Sequence, residues 1–504
     1  MASPWACTLL CLLLAGTLAR AALRPTAILS LSPDIIREKL MDKLEEHNAT
    51  VILQQLPLLS TVQEESTGLL GSLLSGAMNH IIWFKVTSAS ILQLQVQPLY
   101  YSQEMLVRIP MDMMAGFNTP LVKTILQMHL ETEAQATIQV ETGAGTPPRL
   151  VIGDCSSNHR NLRISVLNKL SFLVNSLAEK VTNILTPALP SLVQDQLCPV
   201  IEAAFNDMYA NLLHLVTEPA VFNLGSVQFY LQTPVIDGDI IQLNLGATLL
   251  DSEKKVSKWF NQTTAFLTAP TLDSAPVKFT VRHDLVNAVV AALLPPEEFV
   301  VLLDYVVPNL ADQLKLAINT FNKEVGPFAV ASGPRVGLMS MQAAGQVEAT
   351  QRLKIRTLKS PEVVLNHDGA RVAQQIVLDF FANEQTHRPL FTLGIEADSE
   401  AEFYSSRNQF MLNFQGLNSD RIHLMNSGIA PFNPDLLKDA VSNILASVLI
   451  PNQNGKLRPG IKTSMMKALG FQEVTWSMTQ PAGLPKQISV QLTDLTLNSL
   501  DNMG

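Results

Sequence analysis

Alternation of apolar and polar residues with a period of two recurs along this chain, and few folds satisfy it. Ile241, Leu243 and Leu245 alternate with Gln242 and Asn244, and Val277, Phe279 and Val281 with Lys278, Thr280 and Arg282. Leu92, Leu94 and Val96 alternate with glutamines, and Phe410, Leu412 and Phe414 with Gln409, Met411 and Asn413. Successive strand residues point to opposite faces, so each run predicts an antiparallel strand with one face covered and the other wet. Ile488, Val490 and Leu492 continue the pattern before its phase shifts to Leu495 and Leu497, which predicts a bulge.

Helices supply the cover. Ser32-Pro33-Asp34 combines a cap, a first-turn proline and a first-turn acid, and Ile36, Leu40 and Leu44 then mark an apolar stripe. Asn433-Pro434-Asp435 opens a second helix in the same way. The longest helical stretch runs from about Leu162 to Val216, with interruptions expected near Pro187 and Pro190. Another covers Asp284 to Phe321, restarting at Pro295-Pro296-Glu297-Glu298. Inside two of the long helices lies a related pentapeptide: Val181-Thr182-Asn183-Ile184-Leu185 precedes Pro190, and Val441-Ser442-Asn443-Ile444-Leu445 precedes Pro451. The expectation is an α+β chain with two copies of a curved antiparallel sheet, each with long helices on its covered face.

Composition then narrows the class. Hydrophobic residues make up 47% of the chain and charged ones 16%, against about 25% charged in an ordinary domain. No segment is built to span a bilayer; the most apolar, Leu285 to Leu310, is cut by Pro295-Pro296-Glu297-Glu298. The excess must sit in a large core or in cavities that hold something apolar. Residues 1–21 read as a secretory signal peptide, with an apolar centre at Leu9 to Leu14 and small residues at Ala19-Arg20-Ala21. Its removal takes Cys7 and Cys11 and leaves Cys155 and Cys198, which favours one disulfide in an oxidising compartment. Sequons at Asn48 and Asn261 place both asparagines on the surface as N-glycosylation sites.

Catalytic signatures are missing: no G-x-S-x-G, H-E-x-x-H, G-x-x-x-x-G-K-[ST] or G-x-G-x-x-G occurs. The nine histidines lack ligand spacing, so no enzyme, metal or cofactor is expected. Net charge is −9 without a basic half, which argues against nucleic acid. Two basic patches are candidate anion sites. Arg352, Lys354 and Arg356 share a face if Leu353 and Ile355 point inward, with Lys359 beyond; Lys254, Lys255 and Lys258 precede Trp259 in a hairpin turn. The simpler reading of each is a solvated polar face. The stretch Gly68 to Gly76 reads as a mobile loop or the lip of a cavity.

Residues 47–60 (HNATVILQQLPLLS), 80–83 (HIIW), 115–125 (AGFNTPLVKTI), 153–157 (GDCSS) and 197–203 (LCPVIEA) resemble the bactericidal/permeability-increasing (BPI) protein family, and within it BPI fold-containing family B. Residues 388–397 (RPLFTLGIEA), 420–429 (DRIHLMNSGI) and 450–458 (IPNQNGKLR) extend the likeness into the second half. The resemblance implies a boomerang of two similar domains, 22–225 and 226–504, joined by a central β-sheet, with apolar lipid pockets and a disulfide joining Cys155 to Cys198. It further implies a secreted protein of airway and oral mucosal fluid that binds lipids, including bacterial lipopolysaccharide, in innate defence. A surfactant-like mucosal glycoprotein without specific cargo is the alternative. One departure from the bactericidal relatives stands out: Lys85 and Arg108 are nearly the only cations across 85–110.

Overall fold

A computed structural model describes residues 24–61, 81–99, 102–118, 125–143, 146–157, 161–167, 172–260, 267, 272, 275–309, 311–312, 315, 351–366, 369–382, 387–406, 409–428, 432–462, 464–469, 473–479 and 487–493. The expected signal peptide, Gly68 to Gly76, the sequon at Asn261 and the phase shift at Leu495 lie outside them.

The first sheet contains β2 (Trp83–Ile91), β3 (Gln95–Leu99), β4 (Glu104–Asn118), β5 (Leu126–Glu141), β6 (Arg149–Ser157) and β7 (Arg163–Val166), in the order β2-β4-β5-β6, with β3 on β4 and β7 on β5. The helices α1 (Pro33–Glu46), α2 (Ala49–Gln54) and α3 (Phe172–Thr217) belong to the same half. Met105, Val107, Ile109, Met111 and Met113 of β4 are buried in one core with Leu40 and Leu44 of α1 and Leu185, Leu189 and Val193 of α3. The α1 start works as expected: the Ser32 hydroxyl accepts from the Ile35 N–H at 3.4 Å, and Ile36, Leu40 and Leu44 are the buried stripe.

The second sheet is larger. It comprises β1 (Ala27–Leu31), β8 (Ala220–Phe222), β9 (Gly225–Asp237), β10 (Ile240–Asp251), β11 (Val256–Trp259), β12 (Val277–Arg282), β13 (Glu298–Leu302), β14 (Arg352–Thr357), β15 (Glu362–Asn366), β16 (Gly369–Phe381), β17 (Phe391–Ser406), β18 (Gln409–Ser427), β19 (Ile461–Lys462), β20 (Glu473–Thr479) and β21 (Gln487–Thr493). The order β13-β14-β16-β17-β18-β19-β8-β9-β10-β1-β12-β21-β20 joins a curled C-terminal part to a central part through the two-residue β19. The α+β architecture of two domains around a central sheet is therefore observed. The described residues of the second half include helices α4 (His283–Leu293), α5 (Leu303–Val306), α6 (Lys438–Ile444), α7 (Ile450–Leu457) and α8 (Ser464–Leu469), with a 3₁₀ turn at Pro434–Leu437 and a π turn at Leu445–Leu449. Asn433 caps the 3₁₀ turn through the Asp435 N–H at 3.1 Å.

Four local expectations change, the first being the strand over Leu92 to Val96: residues 92–94 lie between β2 and β3, and Leu92 is exposed. Residues 163–166, inside the stretch expected to be the long helix, form β7, and the helix begins at Phe172 and continues past its prolines. Residues 298–302 form strand β13 on β14, because Pro295-Pro296 ends α4 and cannot continue its hydrogen bonds. In β12 the face expected to be wet is covered too: Lys278, Thr280 and Arg282 are all buried. Arg282 is satisfied there by both carboxylate oxygens of Asp284, at 2.6 and 2.9 Å, and by the Phe260 carbonyl at 2.9 Å.

Candidate functional site: an apolar cavity beside α4

The stretch from Leu285 that stood out for its apolarity folds as α4 and forms one wall of a half-open apolar cavity, through Leu285, Val286, Val289, Val290 and Leu293. Val227 and Phe229 of β9, with Phe279 and Val281 of β12, form the central-sheet wall. Phe403 of β17 and Phe410 and Leu412 of β18 form the C-terminal wall, and Leu457, Gly460, Ile461 and Met465 close one end. The space between these walls is about 880 Å³ when the solvent-open mouth is counted in, and far smaller inside it. Every described lining residue is apolar or glycine.

Local chemistry fixes these walls. Phe229 meets Phe279 edge-on at 5.5 Å, and Phe403 stacks on Phe410 at 5.7 Å, so the aromatic walls are held by ring contacts. The polar side of α4 docks on β15. Asn287 accepts from the Val363 N–H at 2.8 Å and donates to its carbonyl at 3.3 Å, and the His283 ring lies 2.5 Å from the same carbonyl. Gly460 has φ +65°, and a Cβ there would lie 2.5 Å from the Met411 sulfur, so both conformation and space require glycine.

A second, different crevice of about 670 Å³ lies between α1, the end of α3 and α8. Ile35, Ile36, Met208, Leu212 and Leu215 give it an apolar floor, while Lys39, Asp42, Lys43 and Glu46 stand along its rim. Lys43 pairs with Glu46 at 2.5 Å and Lys39 with Asp42 at 3.9 Å. The His47 ring reaches Asp207 at 2.7 Å, linking α1 to α3.

The sequence-predicted residues distribute as follows. Cys155 of β6 and Cys198 of α3 form a disulfide with Cα atoms 5.9 Å apart. Asn48 is exposed, at φ 56° between α1 and α2. Leu353 and Ile355 point inward, so Arg352, Lys354 and Arg356 do share a face of β14. Counter-charges occupy it: Lys354 pairs with Glu298 at 2.7 Å and Arg356 with Asp379 at 2.9 Å, while Arg352 lies over the Phe381 ring. Lys254 and Lys255 sit in the β10–β11 turn, Lys255 pairs with Glu253, and Lys258 lies 5.2 Å from the Phe260 ring centre. Six strands separate β14 from β10 in the sheet order, so the two patches are not one site. Arg108 lies 4.0 Å from Glu133, and Lys85 is 5.2 Å from the Trp83 ring centre.

Among the described residues no cluster of His, Cys, Asp and Glu could hold a metal ion, and no helix is long and apolar enough to cross a membrane. Sequence reasoning singled out α4 as unusually apolar but missed its partners. Phe229 and Phe403 meet only through the sheet order and Met465 joins them only through the placement of α8, and nothing local in the sequence pairs them.

Two family models match the chain: LBP / BPI / CETP family, N-terminal domain, over residues 43–208, and the C-terminal domain of the same family over residues 341–481. The chain is 53% identical over 485 residues to human BPI fold-containing family B member 1, covering 96% of each protein. It is 48% identical to the mouse protein of that name over 484 residues, covering 96% of this chain and 98% of the relative. The crystal structure of lipopolysaccharide binding protein superposes with a TM-score of 0.51 at 13% identity, covering 93% of this chain and 98% of that one, which is a likeness of fold.

Proposed function

This chain belongs to the LBP / BPI / CETP family, and from that premise we propose that it is a secreted, non-enzymatic lipid carrier of mucosal surfaces. It holds acyl chains in its cavity and modulates responses to bacterial lipopolysaccharide. The observation that supports this reading is the cavity beside α4, whose described walls carry only apolar side chains and one glycine. The magnitudes are comparable: burying a dozen methylenes contributes roughly 10 kcal/mol at about 0.8 each, against an association cost of about 4–15 kcal/mol. A single chain is marginal and a two-chain lipid binds. Residues 22–225 and 226–504 are proposed as the two domains, and Asn48 and Asn261 as glycan carriers. The match to lipopolysaccharide binding protein motivates the choice of endotoxin as one ligand to test.

Native mass spectrometry of protein secreted by epithelial cells tests the proposal. Co-purifying lipid, or uptake of lipid offered to the stripped protein, is expected. Protein that carries none and accepts none overturns it.

A further inference from the structure

We infer that the outer face of the central sheet, around the β10–β11 hairpin, is a docking surface that seats the protein on an anionic lipid bilayer. This surface lies on the opposite side of the same strands from the cavity and does not rest on the carrier reading above. Paired residues of antiparallel neighbours share a face, and the register runs Lys462–Val221–Ser226–Leu250–Val256 across β19, β8, β9, β10 and β11. Trp259 joins that face through its pairing with Thr248. Ala220, Val227 and Ile461, next along their strands, point the other way and line the cavity. Val221, Val256 and Trp259 are exposed, Trp259 to 58%, and so is Leu224 in the adjoining β8–β9 turn. Apolar side chains gathered in this way on a surface mark an interaction site.

The hairpin is fixed before any partner arrives. Its turn is held by the Asp251 carboxylate, which accepts from the N–H groups of Glu253 and Lys255, both at 2.9 Å. At its base Phe260 is buried, and its carbonyl accepts from the Arg282 guanidinium at 2.9 Å. Every residue from Ser252 to Trp259 is exposed between these anchors. The side chains then select the partner. Tryptophan settles at the lipid–water boundary, and lysines beside it meet headgroup phosphates. Lys255 neutralises Glu253, whereas Lys254 and Lys462 have no carboxylate partner among the described residues. The face is therefore locally positive in a chain of net charge −9, and repulsion of the rest of the surface orients the protein with this face down. A second copy fits poorly, because a standard interface takes about 20–30 residues a side. An anionic polysaccharide would engage the lysines and leave Val221 and Val256 in water.

Flotation of the full-length secreted protein with vesicles tests the inference. Vesicles of phosphatidylcholine with about one quarter phosphatidylglycerol should bind it about tenfold better than phosphatidylcholine alone. Trp259→Ala should lower binding to the mixed vesicles about tenfold and leave cavity loading, read by native mass spectrometry, unchanged. Lys254→Glu combined with Lys462→Glu should remove the preference for the anionic vesicles. Lipids brominated near the headgroup should quench tryptophan emission of the unmodified protein, and most of that quenching should vanish in the conservative Trp259→Phe. Vesicle binding that survives Trp259→Ala, or that pure phosphatidylcholine matches, overturns the docking surface and leaves the carrier reading intact. Heparin binding that is lost in the lysine variant and kept in Trp259→Ala, without flotation, assigns the face to a polysaccharide and overturns it as well.

Discussion

The two related pentapeptides end in different helices. After Leu185 prolines come two and five residues on, at Pro187 and Pro190; after Leu445 the first comes six on, at Pro451. In the first half the helix runs unbroken from Phe172 to Thr217 with Pro187, Pro190 and Pro199 inside it. In the second, the helical stretch is a 3₁₀ turn, α6, the π turn Leu445–Leu449 and then α7, with Pro451 in the first turn of α7. A π turn bonds i to i+5 and so absorbs one extra residue, and the described part of the first helix has no such turn. The apolar role of the pentapeptide survives: Val181 and Leu185, like Val441 and Leu445, are fully buried. Internal prolines cost about 3 kcal/mol each in an isolated helix. In α3, Pro187 and Pro199 are exposed, as are Asn183 and Asp195, whose carbonyls lose their partners, so water can satisfy them. Burial of Leu185, Leu189, Val193, Leu197 and Ile201 at successive turns outweighs the remaining cost.

The disulfide belongs to the first helix only, so removing it is the strongest way to break the comparison. Cys155→Ala or Cys198→Ala frees a loop spanning a sequence separation of 43 and should cost about 4 kcal/mol. That is a large share of an ordinary stability of about 5–15 kcal/mol, so secretion yield and melting temperature should both drop. Hydrogen exchange should rise across 172–217 well before 438–457. Equal loosening of both helices would show that the disulfide supports the whole molecule and not its first half.

That contrast also shows what a single sequence can disclose. The α1 start was legible because a cap, a proline and an apolar stripe are all local. So was the face of β14, since Leu353 and Ile355 alternate with its cations. The continuity of α3 was not, because proline reads as a breaker unless the packing that overrides it is known. Nor was the double burial of β12, where Lys278 and Arg282 look solvent-facing until their neighbours in the sheet are in place. The cavity was legible only as an excess of apolar residues; its walls are assembled by non-local pairing.

The second-half helix is held by polar contacts where the first has a covalent bond. Gln374 and Gln453 are buried and exchange hydrogen bonds at 2.7 and 3.0 Å, and Asn454 bonds both the N–H and the carbonyl of Phe414 at 2.9 Å. Gln453→Ala should cost about 1–3 kcal/mol by stranding Gln374, while the paired change Gln374→Leu with Gln453→Leu should be close to neutral. Thermal unfolding of the three variants checks this. A double variant as unstable as the single one would mean that these amides do more than satisfy each other.

A smaller effect is expected where cations meet ligand. Lys354 and Arg356 already have carboxylate partners, Arg356 a buried one in Asp379, so an incoming anion must compete with both. Endotoxin affinity should therefore change by less than about threefold between low salt and about 0.5 M, where the Debye length shrinks to only a few ångströms. Removing acyl chains from lipid A should weaken binding more than removing its phosphates. Collapse of binding with salt, reproduced by Lys354→Glu or Lys255→Glu, would instead assign the anion to that patch.

The smallest effect tests the packing of α3 from within. Tyr209 is 7% exposed and its ring is parallel to that of Phe205, with centroids 6.3 Å apart. Burial pushes its phenol above the ordinary value of 10.0, partly opposed by the Leu150 backbone and the Arg149 guanidinium. Below pH 10 folded and unfolded chains both keep this proton, and the group adds no pH dependence. As pH rises past 10 the unfolded chain releases the proton first, so it binds fewer protons than the folded one and stability falls. Tyr209→Phe removes the ionisation. It should leave the melting temperature at neutral pH within a few degrees of the unmodified protein and reduce the loss of stability above pH 10. An unchanged alkaline slope would mean that the phenol ionises without unfolding, and that the end of α3 is looser than the rest of that helix.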